Sequence, residues 1–266
     1  GVAKLRWIKT DTDKRLKMEL LQKAIVEAFE EYKGTSTIIP APSNTLDDLL
    51  VFIPIGDAHL GMLAWAEDAG ENWDLKKAEE YYILAMARMI ESAPNAKECF
   101  IADMGDFLHR NDNKNSTPQS GNVLDCDGRS AKMMRVAIKI LIHAVDLALA
   151  KFETVRLKNV IGNHAPEAEQ MLSLVLEQRY HNNPRVIVEG STNKFFYYQW
   201  GKTMIGLCHG DGVKHQELPM VMASDVPQMW GNTLFRYMYI GHIHHQSVKE
   251  YQGCSVESIN TITPND

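Results

Sequence analysis

Apolar positions along this chain recur in two patterns, and each pattern predicts a different element. Short continuous apolar runs are typical of strands buried in a parallel sheet, and they predict strands at 51–55, 99–104 and 155–161. Apolar residues that recur at three- and four-residue steps predict helices at 75–92, 129–152 and 166–180. Asp74 suits the cap of the first helix, and Pro166 suits the first turn of the third. This alternation indicates an α/β fold.

After residue 180 the pattern changes to short strands. Apolar and aromatic runs predict them, the first three at hairpin spacing, at 186–188, 195–200, 204–208, 236–240, 247–251 and 255–259. Gly201 and Lys202 suit a tight turn between two of them. The aromatic run 195–200 fits a strand in the core better than a surface on which nucleic-acid bases stack. The stretch 215–230 is interpreted as helical or mobile.

The N-terminal region differs from the rest of the chain. An apolar stripe over residues 11–32 predicts an amphipathic helix, and a Pro-, Ser- and Thr-containing linker follows it. We therefore divide the chain into a helix and linker at 1–46 and a main domain at 47–266. The helix either docks on the main domain or contacts a partner, which could be nucleic acid or a second copy of this chain.

Composition narrows the function classes. The 266 residues carry a net charge of −6, which does not suit a protein that coats nucleic acid through a strongly basic surface. A few lysines and arginines beside a metal site would still suffice for a nuclease. The sequence contains neither an apolar run long enough for a membrane span nor a signal-peptide pattern, so we expect no membrane partner. Four widely spaced cysteines indicate a reduced, cytoplasmic setting.

Polar side chains follow five of the predicted strands at the point where each strand ends. Carboxylate, amide and imidazole groups occur there at Asp57, His59, Asp106, Asn163, His164, His209, His242 and His244. Taken singly, each is most often a turn residue. The carboxyl ends of parallel strands meet at one sheet edge, so together they predict one site. Mixed nitrogen and oxygen ligands suit divalent transition metals, and this set is large enough for two ions.

The ordered motifs D-x-H, G-D, G-N-H, H-G and G-H-x-H, between about residues 50 and 260, resemble those of the calcineurin-like metallophosphoesterase superfamily. This resemblance implies an α/β fold, a four-layer α/β/β/α sandwich of two mixed β-sheets, with two divalent metal ions at the strand ends. Mixed nitrogen and oxygen sites accept several metals, and we expect Mn²⁺ first, with Zn²⁺, Fe²⁺ or Ni²⁺ as alternatives. The implied ligands are Asp57, His59 and His244 for one ion, Asn163, His209 and His242 for the other, and Asp106 as the bridge.

Further details resemble the SbcD-type DNA-repair exonuclease branch. The first motif continues as D-A-H-L-G, and His109 lies three residues after Asp106. The resemblance implies that His164 stabilises the transition state or protonates the leaving group, and that His109 positions the substrate phosphate. Arg110 and Lys114 are further candidates for phosphate binding. The expected function is hydrolysis of DNA phosphodiester bonds by a metal-activated hydroxide.

Two departures keep alternatives open. Ala165 stands where the superfamily usually has Asp or Glu after the third motif, so support for His164 must come from elsewhere, with Glu167 as a candidate. We find no segment that matches the DNA-binding cap domain of the repair nucleases. An acidic chain without that cap suits a small-molecule phosphodiesterase or phosphatase acting on cyclic nucleotides, dinucleotides or phosphomonoesters. A third alternative is a scaffold that has lost catalysis.

Overall fold

The computed structural model describes residues 34–264, together with Lys23. The predicted N-terminal helix at 11–32 therefore lies outside the described residues, apart from Lys23, which is helical. The linker that follows contacts the main body at several points. The guanidinium of Arg185 donates to the carbonyl of Ile39 at 2.5 Å, and the backbone N–H of Gly34 donates to the carbonyl of Gln178 at 3.1 Å.

The first sheet contains four parallel strands in sequence order. They are β1 (Leu46–Ile55), β2 (Ala96–Asp103), β3 (Thr154–Asn159) and β4 (Val186–Val188). In this register Ile55 pairs with Asp103, and Asp103 pairs with Asn159, so three strands end side by side. The segments that follow these strands therefore start from one sheet edge. The short β4 joins β3 in parallel, so the hairpin expected from its spacing is wrong.

Helices cover the outer face of this sheet. They are α2 (Leu75–Ser92), α3 (Ser130–Lys151) and α4 (Pro166–Tyr180), and the short α1 (Ala66–Ala69), which has no buried residue, precedes them in the chain. The predicted α2 and α4 are confirmed at both ends, and each begins at a strong start signal. Asp74 accepts a hydrogen bond from the backbone N–H of Lys77 at 2.7 Å, and Pro166 occupies the first turn of α4. None of the helices within 34–264 is both long and apolar enough to cross a membrane.

The second sheet has five strands in the order β5-β6-β7-β9-β8. They are β5 (Phe196–Trp200), β6 (Thr203–Cys208), β7 (Phe235–Ile240), β8 (Ser247–Tyr251) and β9 (Cys254–Ser258). Its strands are mixed: β6, β7 and β9 run parallel, and the two edge strands are antiparallel to their neighbours. Between β6 and β7 lie a 3₁₀ turn (His215–Glu217) and two helices, α5 (Leu218–Asp225) and α6 (Pro227–Asn232).

Alternate side chains of each strand build separate cores, which gives four layers. On β2, Cys99 and Ile101 pack against the helices, whereas Phe100 faces the second sheet. On β6, Ile205 faces the first sheet, and Met204 packs with α5 on the outer face. The predicted α/β/β/α sandwich is therefore confirmed, but of its two sheets only the second is mixed as expected, because the described strands of the first all run parallel. The carboxyl ends of its parallel strands are where the predicted site residues emerge.

Candidate metal centre

The ends of both sheets meet at one place, and hydrogen bonds connect them. Asp57 follows β1, and both of its carboxylate oxygens accept the backbone N–H of His242, which follows β7, at 2.8 and 3.0 Å. The carbonyl of Asp57 accepts the hydroxyl of Thr261 at 2.8 Å. Asp57 is completely buried, so these contacts fix its position. The D-x-H and G-H-x-H motifs are thus brought together across the sandwich.

Three of the predicted ligands form a first group. The ligating atoms of Asp57, His59 and His244 all lie within 4.8 Å of one another. The Nε2 atoms of His59 and His244 are 3.0 Å apart, and Nε2 of His244 is 3.7 Å from Oδ1 of Asp57. Burial lowers the pKa of His59 well below its ordinary value, so its ring is neutral and has a lone pair available for a cation.

A second group lies around the segments that follow β2, β3, β6 and β7. The ligating atoms of Asp106, His209 and His242 also lie within 4.8 Å of one another. Nε2 of His209 is 3.0 Å from Oδ1 of Asn163 and 3.1 Å from Oδ2 of Asp106. Nδ1 of His209 donates to the carbonyl of Met104 at 3.0 Å, which leaves Nε2 directed at these oxygens. All seven predicted ligands therefore lie in these two groups or in contact with them.

His109 and His164 lie beside His59 of the first group. Together with His59 they form a third set whose ring nitrogens lie within 4.8 Å of one another. Nδ1 of His109 is 3.3 Å from Nδ1 of His59. Nδ1 of His164 donates to the carbonyl of His109 at 2.9 Å, and the backbone N–H of His164 donates to Oδ1 of Asp106 at 2.8 Å. Nε2 of His164 then remains available, 3.9 Å from Oδ2 of Asp106.

The backbone is strained at the same positions. Among the described residues, the only ones other than glycine with a positive φ are Asp57 (24°), His59 (43°), Asp106 (53°), His242 (69°) and His244 (52°). A side chain in a sparsely populated backbone conformation costs about 1–3 kcal/mol, and such residues persist where the surroundings enforce them. All five are predicted ligands, so the strained backbone conformations coincide with the positions that direct these side chains into the centre.

The electrostatics of the centre favour a bound cation. Burial raises the pKa of Asp57 to about 7, and the charge of His209 and the N–H of His242 only partly offset it. Burial lowers the pKa of His209, but its hydrogen bond with Asp106 and the charge of Asp106 outweigh burial and raise it to about 10. A positive ion beside Asp57 would favour its charged form and would displace the proton of His209. Buried oxygen and nitrogen donors in this arrangement fit divalent cations.

Comparison with known proteins adds little to this geometry. No family model matches the sequence, and no curated protein matches it. Among solved structures, the chain is similar to Vps29 in complex with zinc from Entamoeba histolytica, with a TM-score of 0.33 and 12% identity over 79% of this chain and 73% of that chain. It is also similar to a conserved uncharacterized protein, a predicted phosphoesterase, from Streptococcus pneumoniae TIGR4, with a TM-score of 0.31 and 10% identity over 80% of this chain and 72% of that chain. Similarity this low carries no argument about chemistry.

One buried residue of the centre was not predicted from the sequence. Glu169 of α4 is completely buried, and its carboxyl oxygens accept the backbone N–H groups of Gly162 at 2.7 Å and Leu108 at 3.4 Å. It therefore ties together the segments that carry Asp106 and Asn163. Burial, followed by the charge of Asp106, raises the pKa of Glu169 to about 8. Its position in the first turn of a helix directly after the G-N-H motif was the only sequence signal.

The other predicted residues have different surroundings. Glu167 was the sequence candidate for supporting His164, but the Nδ1 of His164 instead bonds the His109 carbonyl. Arg110 is buried, and its guanidinium donates to the side chain of Asn115 and the carbonyl of Gly128, so it holds the loop at 109–127. Lys114 is exposed on the same loop. The substrate-binding roles of Arg110 and Lys114 stay predictions.

Glycines beside the motifs allow the segments that carry the predicted ligands to approach closely. A Cβ placed on Gly162 would overlap with Oδ1 and the backbone nitrogen of Asp106. A Cβ on Gly241 would lie 2.7 Å from Oδ2 of Asp57 and 3.1 Å from the carbonyl of Met104. Neither glycine has a positive φ, so close packing against the ligands, and not turn geometry, requires glycine at these two positions.

Proposed function

We propose that this chain is a metallophosphoesterase that hydrolyses phosphodiesters with two divalent cations. The supporting observation is the pair of ligating groups, each with its donor atoms within 4.8 Å, at the joined strand ends of the two sheets. The proposed ligands are Asp57, His59, Asp106, Asn163, His209, His242 and His244. Two such ions, when bound, polarise phosphoryl oxygens and lower the pKa of a coordinated water.

The chain's own residues would position and protonate the substrate. His164 is anchored through Nδ1 on the carbonyl of His109, so its Nε2 can hold a proton for the oxygen that leaves. His109 is buried within the same histidine set, where it could orient a phosphate oxygen. Burial, with the charge of His164, lowers the pKa of His109 to about 4, so we assign it positioning and not proton transfer.

We propose nucleic acid, and DNA first, as the substrate. The presence of His109 beside His59 and His164 supports this, because the resemblance to the SbcD-type branch depends on that histidine. A small nucleotide or another phosphoester is the second candidate. Two observations favour this second candidate. The guanidinium of Arg110 already donates hydrogen bonds within its own loop and so is not free to bind a nucleic-acid backbone. The net charge of −6 also disfavours long nucleic acid, which binds best to a basic surface.

The metal, the location and the partner are also proposals. Nitrogen and oxygen donors accept several transition metals, and we propose Mn²⁺, with Zn²⁺, Fe²⁺ or Ni²⁺ as alternatives. The four scattered cysteines support a cytoplasmic setting. The predicted helix at 11–32 is the proposed contact for a homodimer or another partner.

The test is hydrolysis by protein that has been stripped of metal and reloaded. We expect Mn²⁺-dependent cleavage of bis-p-nitrophenyl phosphate, and a comparison of single-stranded DNA, duplex DNA, cyclic nucleotides and p-nitrophenyl phosphate ranks the two substrate candidates. His164→Ala should lower kcat about 10²–10⁴-fold, the usual contribution of a general acid. His143→Ala is the control, since His143 lies on α3 outside the centre.

Two results would count against the proposal. If His164→Ala hydrolyses as fast as the wild type, His164 does not donate the proton. If the reloaded protein binds metal but cleaves none of these esters, the scaffold alternative replaces the hydrolase.

A further inference from the structure

A cavity lies beside the proposed metal centre. Its volume is about 460 Å³, within the range of about 300–1,000 Å³ that is usual for small-molecule sites. The segment after β1 forms one wall, with Leu63 and Trp65, and the loop at 109–127 forms the other, with Val123. His109 also lines the cavity. We call this space the side pocket.

Backbone hydrogen bonds hold the walls of the side pocket in place. The N–H of Leu63 donates to the carbonyl of Asp125 at 3.0 Å, which joins the two walls. Ala64 and Trp73 exchange two backbone hydrogen bonds of 2.9 Å each, which fixes the segment that carries Trp65. The pocket is therefore built into the fold, so a ligand that enters it need not order the chain first.

His109 connects the side pocket to the metal centre. His109 is one of the lining residues, and its Nδ1 lies 3.3 Å from Nδ1 of the predicted ligand His59. A substrate whose phosphorus lies at the centre could therefore extend one ester group past His109 into the pocket. The pocket would then bind this ester group and select substrates by its chemistry.

The lining points to an aromatic group with N–H donors. Trp65 is 57% exposed, and Leu63 and Val123 are exposed apolar neighbours, so a flat ring could stack there and cover apolar surface. Asp68 and Asp125 line the same pocket and are exposed. Their carboxylates repel phosphate groups and accept hydrogen bonds from amino groups. A nucleobase offers both a flat aromatic ring and N–H donors, whereas a sugar offers hydroxyl donors without an aromatic ring and a second phosphate offers neither.

We propose that the side pocket binds the base of a nucleotide unit whose phosphodiester lies at the metal centre. This assignment rests on the proposed hydrolase function for the position of the phosphate, but base binding itself can be measured without catalysis. It makes the substrate a nucleotide or a nucleic-acid end, and it makes Trp65 a specificity residue.

The first measurement is binding of adenosine, which lacks phosphate. In ¹⁵N-labelled, zinc-loaded full chain, the indole N–H signal of Trp65 is assigned by its loss in Trp65→Phe. Adenosine should shift this signal, and ribose 5-phosphate should not. The indole of Trp200, which donates to the carbonyl of Asp48 at 3.0 Å and does not line the pocket, is the internal control. A Trp65 signal that does not respond to adenosine at its solubility limit overturns the proposal.

The second measurement compares two diesters with the same leaving group, a nucleoside p-nitrophenyl phosphate and methyl p-nitrophenyl phosphate. The wild type should prefer the nucleoside ester in kcat/KM, mainly through KM. Trp65→Ala should reduce this preference about tenfold, as expected for loss of one stacking contact, and Trp65→Phe should retain most of it. Phe235→Ala is the matched control, because Phe235 is also 57% exposed but lies on β7 outside the pocket.

The two measurements separate this proposal from the hydrolase. If adenosine shifts Trp65 but neither ester is cleaved, the pocket assignment stands and the hydrolase fails. If both esters are cleaved equally and Trp65 does not respond, the hydrolase stands and the pocket assignment is wrong.

Discussion

The residue types of the metal centre were predictable, but their backbone conformations were not. Asp, Asn and His at five strand ends indicated ligands because their side chains carry the donor atoms that metals bind. The positive φ of His59, Asp106 and His244 depends on contacts between segments that are far apart in the sequence, such as the 2.9 Å hydrogen bond from the His59 N–H to the Asp106 carbonyl. Local sequence does not encode such contacts.

Gly162 provides a test at the scale of one methyl group. Gly162→Ala should displace Asp106 and sharply weaken metal binding, because the new Cβ would overlap with the Asp106 carboxylate and backbone. Metal content after dialysis and the unfolding temperature are the measurements. Gly231→Ala is the control, because nothing lies within 4 Å of a Cβ at that position. Equal metal content in both variants would show that Asp106 does not need its observed position.

Glu169 was missed because a buried carboxylate cannot be recognised from one sequence. Glu169→Ala removes the acceptor of two buried N–H groups, which should lower the free energy of unfolding by about 1–3 kcal/mol and metal affinity about 10–100-fold. Urea unfolding and competition with a metal chelator measure the two effects. Glu167→Ala is the matched control, since Oε2 of Glu167 is buried without a hydrogen-bond partner among the described residues. If Glu167→Ala weakens metal binding more, Glu167 and not Glu169 supports the centre.

At the scale of elements, the amphipathic helices were the most predictable part. The starts of α2 and α4 follow from local signals, Asp74 at a cap and Pro166 in a first turn. The pairing of β4 was not predictable, because three residues carry too little pattern to distinguish a parallel partner from a hairpin. A loop as long as 109–127 is usually functional or mobile, and this one forms a wall of the side pocket.

The cap of α2 should stabilise the fold without affecting the centre. Asp74→Ala removes the acceptor for the N–H of Lys77 and should lower the free energy of unfolding by about 1 kcal/mol. Asp74→Asn should retain most of it, because both residues cap helices well. Urea unfolding with and without added metal measures the change. An equally large loss in Asp74→Asn would assign the effect to the charge of Asp74 and not to the cap.

At the scale of the whole molecule, folding, protons and metal are coupled. Folding raises the pKa of Asp57 from 3.8 to about 7, so the unfolded chain releases this proton at lower pH than the folded chain does. Metal-free protein therefore loses stability as pH rises from 3.8 to about 7. A bound cation removes that penalty. The pKa of His209 is raised to about 10, so a metal ion must displace the proton of His209 when it binds. Metal binding should therefore become stronger as pH rises.

We therefore expect the stabilisation by metal to grow with pH. The difference in unfolding temperature between zinc-loaded and chelator-treated protein should widen from about pH 5 to about pH 8. Calorimetry in buffers of different ionisation enthalpy should also show that binding releases protons. A difference that is constant over this interval would mean that neither Asp57 nor His209 changes its protonation when metal binds.

The central claim is a two-cation centre that hydrolyses phosphodiesters, and metal content measured on the same samples as hydrolysis tests it most directly. We expect about two divalent ions per wild-type chain, together with metal-dependent cleavage of bis-p-nitrophenyl phosphate. His209→Ala should retain about one ion, because it disrupts only the second group, and should lose activity. Well under one ion per chain, or hydrolysis that persists after the metal is removed, would contradict the account.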